Sequence, residues 1–270
     1  MIKPAQSGDA LLADIRRSPF HVWWLGQSGF LVQYQGRHLL IDPYLSDSLT
    51  KKYAATDKPH VRMTELAIAP ERLDLVDVVT SSHNHTDHLD AETLGPLLRA
   101  NSAMTLIIPE ANRRFVAERL QIDPAMPIGI RDGTSADAAG FHFTGVHSAH
   151  EEESDAYMGY VIRFGPWTIY HPGDTVLYAG LAERLRPFGI DLAMLPINGR
   201  APERRVAGNL DGREAAGLAK AAGARMVIPC HYEMFEFNTA SPDEFIAEAR
   251  RLDQPYRVLR CGERWSSSEL

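Results

Sequence analysis

Apolar and polar positions along the chain sort into short runs with turn residues between them. His21 to Leu25, Phe30 to Gln35 and Arg37 to Asp42 are rich in β-branched, aromatic and aliphatic residues, and "GQSG" and "QG" separate them. Strand-forming composition punctuated by tight-turn residues predicts a β-meander. Val76 to Ser81 reads as the next strand, followed by a helix over Ala91 to Arg99, a strand over Met104 to Pro109 and a helix near Asn112 to Leu120. There the apolar spacing changes from two to three and four, the helical period. The sequence of events then repeats. Strands are expected at Phe141 to Val146, Met158 to Phe164 and Trp167 to His171, then a helix near Leu177 to Leu185 and a strand at Asp191 to Pro196. A helix at Gly212 to Ala222, a strand at Arg225 to Pro229, a helix at Pro242 to Leu252 and a strand at Tyr256 to Arg260 complete it. Two successive halves, each meander first and α/β second, predict an α/β fold with two sheets face to face and helices outside, a four-layer αββα sandwich. No repeat or linker divides the chain, so one domain is expected over 1–270, with 1–19 as an N-terminal helical extension whose Ala10 to Ile15 has helical apolar spacing.

With 270 residues, 44% of them apolar, the chain has ample material for a core. Its net charge of −7 supplies no overall basic field, so neither nucleic acid nor an anionic membrane is an expected partner. Asp9 and Asp14 dilute the basic pair Arg16 and Arg17, which argues against a membrane-surface helix. Two cysteines are too few for a disulfide framework, and the first residues hold no apolar stretch of signal-peptide or spanning length. The expected location is the cytoplasm.

Chemistry concentrates at "TSSHNHTDHLD", residues 80–90, directly after an apolar run. A solvated loop has no need of three histidines and two aspartates in that spacing, whereas a metal site does. Other polar residues recur just past expected strand ends: His147 and His150 in "FTGVHSAHEEE", His171 and Asp174 in "WTIYHPGDT", His231 in "RMVIPCHYEMF". A dinuclear site needs about six or seven ligands, imidazoles for borderline metals and a carboxylate able to bridge. His83 and His85, two apart on extended chain, can share one metal with His150. Asp87 and His88 can reach a second with His231, and Asp174 can bridge. Asp90 reads instead as the cap of the helix at Ala91. His171 reads as a hydrogen-bonded structural residue, Cys230 as a buried hydrophobe, and Glu151 to Glu153 as a solvated run. In "NGRAPERR", Asn198, Arg200, Arg204 and Arg205 follow a strand that should end at the active edge, where an arginine fork could clamp an anion.

The string "HNHTDHLD", then a histidine some sixty residues on, then "HPGDT" and "IPCH" resembles the metallo-β-lactamase superfamily of metal-dependent hydrolases. More narrowly, "VWWLGQSGFLVQYQGRHLLIDPYLSD", "TIYHPGDTVLYAGL", "LPINGR", "GNLDGREAAGLAKAAGARMVIPCHYEMF" and "YRVLRCGERW" resemble its L-ascorbate-6-phosphate lactonase-like branch, over about Phe20 to Trp265. The resemblance implies the αββα fold, two divalent ions (zinc or manganese), and a hydroxide bridging them as nucleophile. It places His150 in the ligand position and His147 where the pattern carries proline, leaving His147 as a site-edge residue or alternative ligand. It is also compatible with a homo-oligomer. The expected activity is hydrolysis of a small anionic lactone or ester such as a sugar-acid lactone phosphate. Asp87 and Asp174 are then the catalytic carboxylates, Asn198, Arg200 and His147 meet substrate, and Asp42 fixes a ligand histidine's tautomer. The alternatives are a phosphodiesterase on a small phosphodiester and a metal-dependent sensor without turnover.

Overall fold

A computed structural model describes residues 1–15, 20–150, 154–201, 204 and 207–270. Arg16, Arg17, Glu151 to Glu153 and Arg205 lie outside the described residues. The elements are strands β1 (Phe20–Gly26), β2 (Gly29–Tyr34), β3 (Arg37–Ile41), β4 (Val78–Thr80), β5 (Thr105–Pro109), β6 (Ile128–Ile130), β7 (Ser135–Ala138), β8 (Phe141–His147), β9 (Met158–Phe164), β10 (Trp167–His171), β11 (Leu192–Pro196), β12 (Met226–Cys230) and β13 (Arg264–Ser266). Helices are α1 (Gly8–Ile15), α2 (Ser48–Tyr53), α3 (Ala91–Ala100), α4 (Arg113–Leu120), α5 (Leu181–Leu185), α6 (Gly212–Ala222) and α7 (Asp243–Arg251).

The strands form two sheets, ordered β13-β1-β2-β3-β4-β5-β6 and β12-β11-β10-β9-β8-β7. In each sheet an antiparallel meander passes into parallel strands, at β3 in the first and at β10 in the second. The parallel strands are joined through helices, because a parallel return needs a crossover. Alternation along the first sheet builds the layers. Val22, Trp24, Phe30, Val32, Leu39, Ile41, Val78 and Ile107 share one apolar cluster with Phe143, Tyr160, Ile162 and Ile169 of the second sheet, and with Ala215 and Leu218 of α6. Their sequence neighbours Trp23, Leu25, Leu31, Leu40, Val79, Leu106 and Ile108 join a separate cluster with Leu94 and Leu97 of α3 and Val116 of α4. A period of two therefore feeds two layers at once, and the expected αββα sandwich is the observed one.

Four elements escape the sequence pattern: α2, β6, β7 and β13, none longer than six residues. The strand expected at Tyr256 to Arg260 is not formed. Only one bridge, Val227 with Tyr256, ties that segment to β12, and the chain turns at Gly262 (φ 80) to deliver β13 to β1 instead. The helix expected from Leu177 begins only at Leu181, because Gly180 directly before it holds left-handed backbone (φ 88), which a right-handed helix cannot run through. Among the described residues no helix is long and apolar enough to cross a membrane.

Candidate metal centre

Loops that follow β1, β3, β4, β8, β10 and β12 meet at one edge of the sandwich. The loop after β4 carries His83, His85, Asp87 and His88; the loops after β8, β10 and β12 bring His150, Asp174 and His231. Three overlapping trios form, His83/His85/His150, His83/His88/Asp174 and Asp87/His88/His231, and within each the ligand atoms lie within 4.8 Å of one another. Asp174 lies between the outer two: its Oδ2 is 3.8 Å from His150 Nε2 and 3.3 Å from His231 Nε2, and its Oδ1 is 3.3 Å from His88 Nε2. Asp87 Oδ2 stands 3.6 Å from His88 Nε2 and 3.4 Å from His231 Nε2.

Second partners turn the rings inward. Asp42 Oδ2 accepts from His88 Nδ1–H at 2.7 Å, and Ser82 Oγ donates to the same oxygen while accepting from His83 Nδ1–H at 3.0 Å. Thr80 Oγ1–H and Ser82 N–H hold the other carboxylate oxygen at 2.8 and 3.1 Å. His150 Nδ1–H donates to Gly208 O at 3.0 Å. Each bond fixes the tautomer whose free Nε2 faces the centre. Asp42 thus sits where a tautomer-fixing partner was expected. The Asp174 turn is seated just as tightly. Gly173 (φ 65) rests on Ser82, where a Cβ would overlap the serine side chain, so only glycine allows the "HPGD" turn to approach the ligand loop.

Charge follows from this packing. Burial alone would raise the carboxyl pKa of Asp87, yet His88 and His231 beside it hold it well below the ordinary carboxylate range. Burial works the same way on Asp174, and His231 and His88 overcome it. Burial would lower His88, but Asp174 and Asp87 keep it well above the usual histidine value; His231, likewise opposed by burial, is pushed up to about 9 by Asp174 and Asp87. His83 is driven well down by burial and by the neighbouring His88. Two ionised carboxylates inside a core thus lean on cations for compensation. Meanwhile His83 Nε2, His88 Nε2 and Asp174 Oδ1 are buried without any hydrogen-bond partner. Buried polar atoms without partners are costly, and three converging on one point fit a metal as their missing partner. The all-nitrogen-and-oxygen donor set, without a thiolate, suits borderline divalent ions such as zinc or manganese.

The remaining expected residues fall in different places. Asp90 caps α3, accepting from Glu92 N at 3.2 Å. His171 is buried, accepting from Gly173 N at 3.1 Å and donating to Ser28 O at 3.1 Å. His147 is not in any trio; its carbonyl accepts from Tyr178 OH at 2.7 Å. Asn198 is spent on Asn238 and Asn209, at 3.1 and 3.0 Å, one layer behind the cavity. Arg200, expected to clamp an anion, is turned away: its fork takes Glu214 at 2.7 and 2.5 Å, and it does not line the cavity. Arg204 donates to Asn198 O at 2.6 Å and Thr239 O at 2.9 Å, tying two loops together.

Sequence reasoning missed Gln27, read only as part of a turn. It is buried at the cavity floor, where its Nε2–H₂ donates to Asp87 Oδ2 at 2.8 Å and lies 3.0 Å from His231 Nε2, while its carbonyl accepts from His231 N at 2.8 Å. Gln27, Asp42 and His231 all hold left-handed backbone, φ 49, 40 and 62, each directly after a strand. Such strain in non-glycine residues collects at functional sites. Also missed was the wall of the cavity, about 550 Å³, to which α2 gives Leu49, Lys52 and Tyr53, α4 gives Phe115 and Arg119, and later loops give Lys58, His60, Phe235 and Asn238. His60 is clasped there by aromatic rings, stacked on Tyr53 at 4.4 Å and edge-on to Phe235 at 5.0 Å.

Residues 21–231 match the family described as "Beta-lactamase superfamily domain". A "UPF0173 metal-dependent hydrolase" of Rubrobacter xylanophilus is 29% identical over 263 residues, covering 91% of this chain and 96% of its own. Among solved structures, Igni18, a metallo hydrolase from Ignicoccus hospitalis, superposes with a TM-score of 0.67 at 22% identity, over 92% of this chain and 98% of its own. A possible metal-dependent hydrolase from Veillonella parvula gives 0.74 at 14% identity, over 93% and 100%. With the fold, the converging trios and a family match spanning most of its length, the chain belongs to the beta-lactamase superfamily and has the metallo-β-lactamase fold.

Proposed function

We propose that the chain is a metal-dependent hydrolase of small anionic esters or lactones, a sugar-acid lactone phosphate being the type of substrate. In this reading His83, His85 and His150 hold one divalent ion, Asp87, His88 and His231 a second, and Asp174 lies between both; zinc or manganese suits the donors. The observation that carries it is the convergence of the three trios, in the middle one of which His83 Nε2, His88 Nε2 and Asp174 Oδ1 are buried without a hydrogen-bond partner. Such ions, when bound, supply an activated water and polarise the group under attack.

The chain's own residues do the rest. Asp87, kept ionised by His88 and His231 and oriented by Gln27, is placed to accept a proton at its Oδ2. The cavity is of small-molecule size, and Asp87 is among the residues that line it. Lys52, Lys58 and Arg119 line it, and among the described residues the only carboxylates lining it are Asp87 and Asp174. In a chain of net charge −7 that local excess of cations favours an anionic substrate. Tyr53, Phe115 and Phe235 offer apolar wall for its body. Two buried free thiols, Cys230 and Cys261, accord with a reducing compartment, and we place the protein in the cytoplasm.

The test is product formation by metal-loaded protein across phosphorylated and free lactones, carboxylic esters and phosphodiesters, with Asp174→Ala as background. Turnover confined to lactones or esters, faster when they carry an anionic group, is the expected result. Turnover of phosphodiesters alone overturns the ester assignment, and silence with both ions bound overturns the assignment as a hydrolase.

A further inference from the structure

Arg200 lies outside the cavity, yet it is built into the loop that holds His150. Its guanidinium takes both carboxylate oxygens of Glu214 and donates to Asn209 O at 3.2 Å. Glu214 is itself anchored, since it forms the capping box that starts α6: Glu214 N donates to Asp211 Oδ1 at 2.8 Å, and Asp211 N donates to Glu214 Oε2 at 3.1 Å. The stem of Arg200 lies flat on Gly208, where a Cβ would overlap it. Only a residue without a side chain lets the loop backbone come so close. That same Gly208 offers the carbonyl to which His150 Nδ1–H donates at 3.0 Å. Contacts therefore run without a break from the N-terminus of α6 through Glu214, Arg200 and Gly208 to His150.

We propose that Arg200 is a positioning residue for His150, holding the Gly208 carbonyl where it fixes the ring's tautomer and direction. An ion pair outside the cavity then governs affinity at one of two metal positions. The proposal rests on the ligand assignment given above. Its physical ground is that a hydrogen bond on the non-coordinating nitrogen orients a ligand histidine and raises its basicity. The planar fork matters, because it grips Glu214 at two points and so sets the angle at which the arginine stem meets Gly208. The ends of the loop are fastened independently, Gly199 N to Leu210 O at 2.9 Å and Leu210 N to Thr175 O at 2.8 Å. Asn209 is tied as well, its N to Gly199 O at 3.1 Å and its side chain to Asn198 at 3.0 Å, so loss of Arg200 loosens Ala207 and Gly208 without unpinning the loop.

The experiment is a Zn²⁺ titration of the purified full chain against a chromophoric chelator. It compares wild type, Arg200→Met, Glu214→Gln and His150→Ala, with Arg251→Met as the control for losing an exposed ion pair, that to Glu248. Wild type is expected to bind two equivalents and His150→Ala to lose one. Arg200→Met and Glu214→Gln should weaken that same equivalent about tenfold, and Arg251→Met should match wild type. In ¹⁵N-histidine spectra the carbonyl-bonded His150 Nδ1–H should broaden in Arg200→Met, a change that general destabilisation would not confine to one ring. Wild-type affinity for both equivalents in Arg200→Met overturns the proposal. If His150→Ala loses an equivalent while Arg200→Met does not, only the link through Gly208 falls; if His150→Ala also keeps both, the ligand assignment falls with it.

Discussion

The two halves of the molecule contribute to the centre in opposite ways. The first half supplies four of the seven converging residues from one loop, His83 to His88, fastened by side chains of its own sheet: Asp42, Thr80 and Ser82. The second half supplies one residue from each of three separate loops, fastened largely through backbone: Gly208 O to His150, Val176 N to Ala149 O beside Asp174, Gln27 O to His231 N. A contiguous loop carries its geometry with it, whereas single residues on separate loops depend on every segment that packs behind them. The histidines echo the difference. His88 is drawn toward the charged form by carboxylates, while His171, in the second-half turn, is kept neutral by burial, and its Nδ1 accepts from Gly173 N.

Breaking the one group between the outer trios should have the largest effect. Asp174→Ala is expected to cost several kcal/mol of transition-state stabilisation, on the order of a thousandfold in rate, with metal content falling in elemental analysis. Two bound ions and full rate in this variant would remove Asp174 from its place between them.

The contrast between His88 and His171 can be sharpened by pH. His171 is held down to about 4 by burial, against an ordinary value near 6.5. The unfolded chain therefore binds more protons between those values, so this contribution to stability is complete above about 6.5 and is lost as pH falls toward 4. The loss is at most roughly 3 kcal/mol. Urea melts of metal-free protein should show it, with a shallower pH slope in His171→Gln; identical slopes would mean that His171 is not kept neutral.

Next in size is Asp42→Asn, which removes the charged acceptor that sets His88's tautomer. Metal affinity or rate should drop about 10- to 100-fold with the fold intact by circular dichroism. An unchanged chelator competition would show that Thr80 and Ser82 suffice. The smallest effect is expected at the rim. Lys52, exposed over the Tyr53 ring at 5.1 Å, should on conversion to Met raise KM for an anionic substrate only a few-fold and leave kcat alone, because solvent screens exposed charges. An equal change for an uncharged substrate would argue that Lys52 acts through packing.

What was legible beforehand divides along the same line. The ligand loop could be read from residues 80–90 because its spacing is local: extended chain just past a strand puts His83 and His85 on one side without help from elsewhere. His150, Asp174 and His231 could be named from their place after strands, since strand ends in this architecture share an edge. The choice between His147 and His150 could not be made from spacing alone, and in the structure only His150 enters a trio. Arg200 was misplaced because nothing local says that the α6 capping box, fourteen residues on, stands ready to take its fork.

The sequence by itself determined the layers, through apolar periodicity, and the kinds of donor at the centre, through their positions after strands. Only the tertiary structure decided which side chain meets which: that Gln27 from the first turn reaches Asp87 and His231, and that α2 and the loop through His60 wall the cavity with lysine and aromatic rings. It also decided that β13 closes against β1 from the other end of the chain. The physical reason is one of range. Periodicity and turn chemistry act over a few residues, while hydrogen bonds between segments dozens to hundreds of positions apart exist only once the sheets have packed.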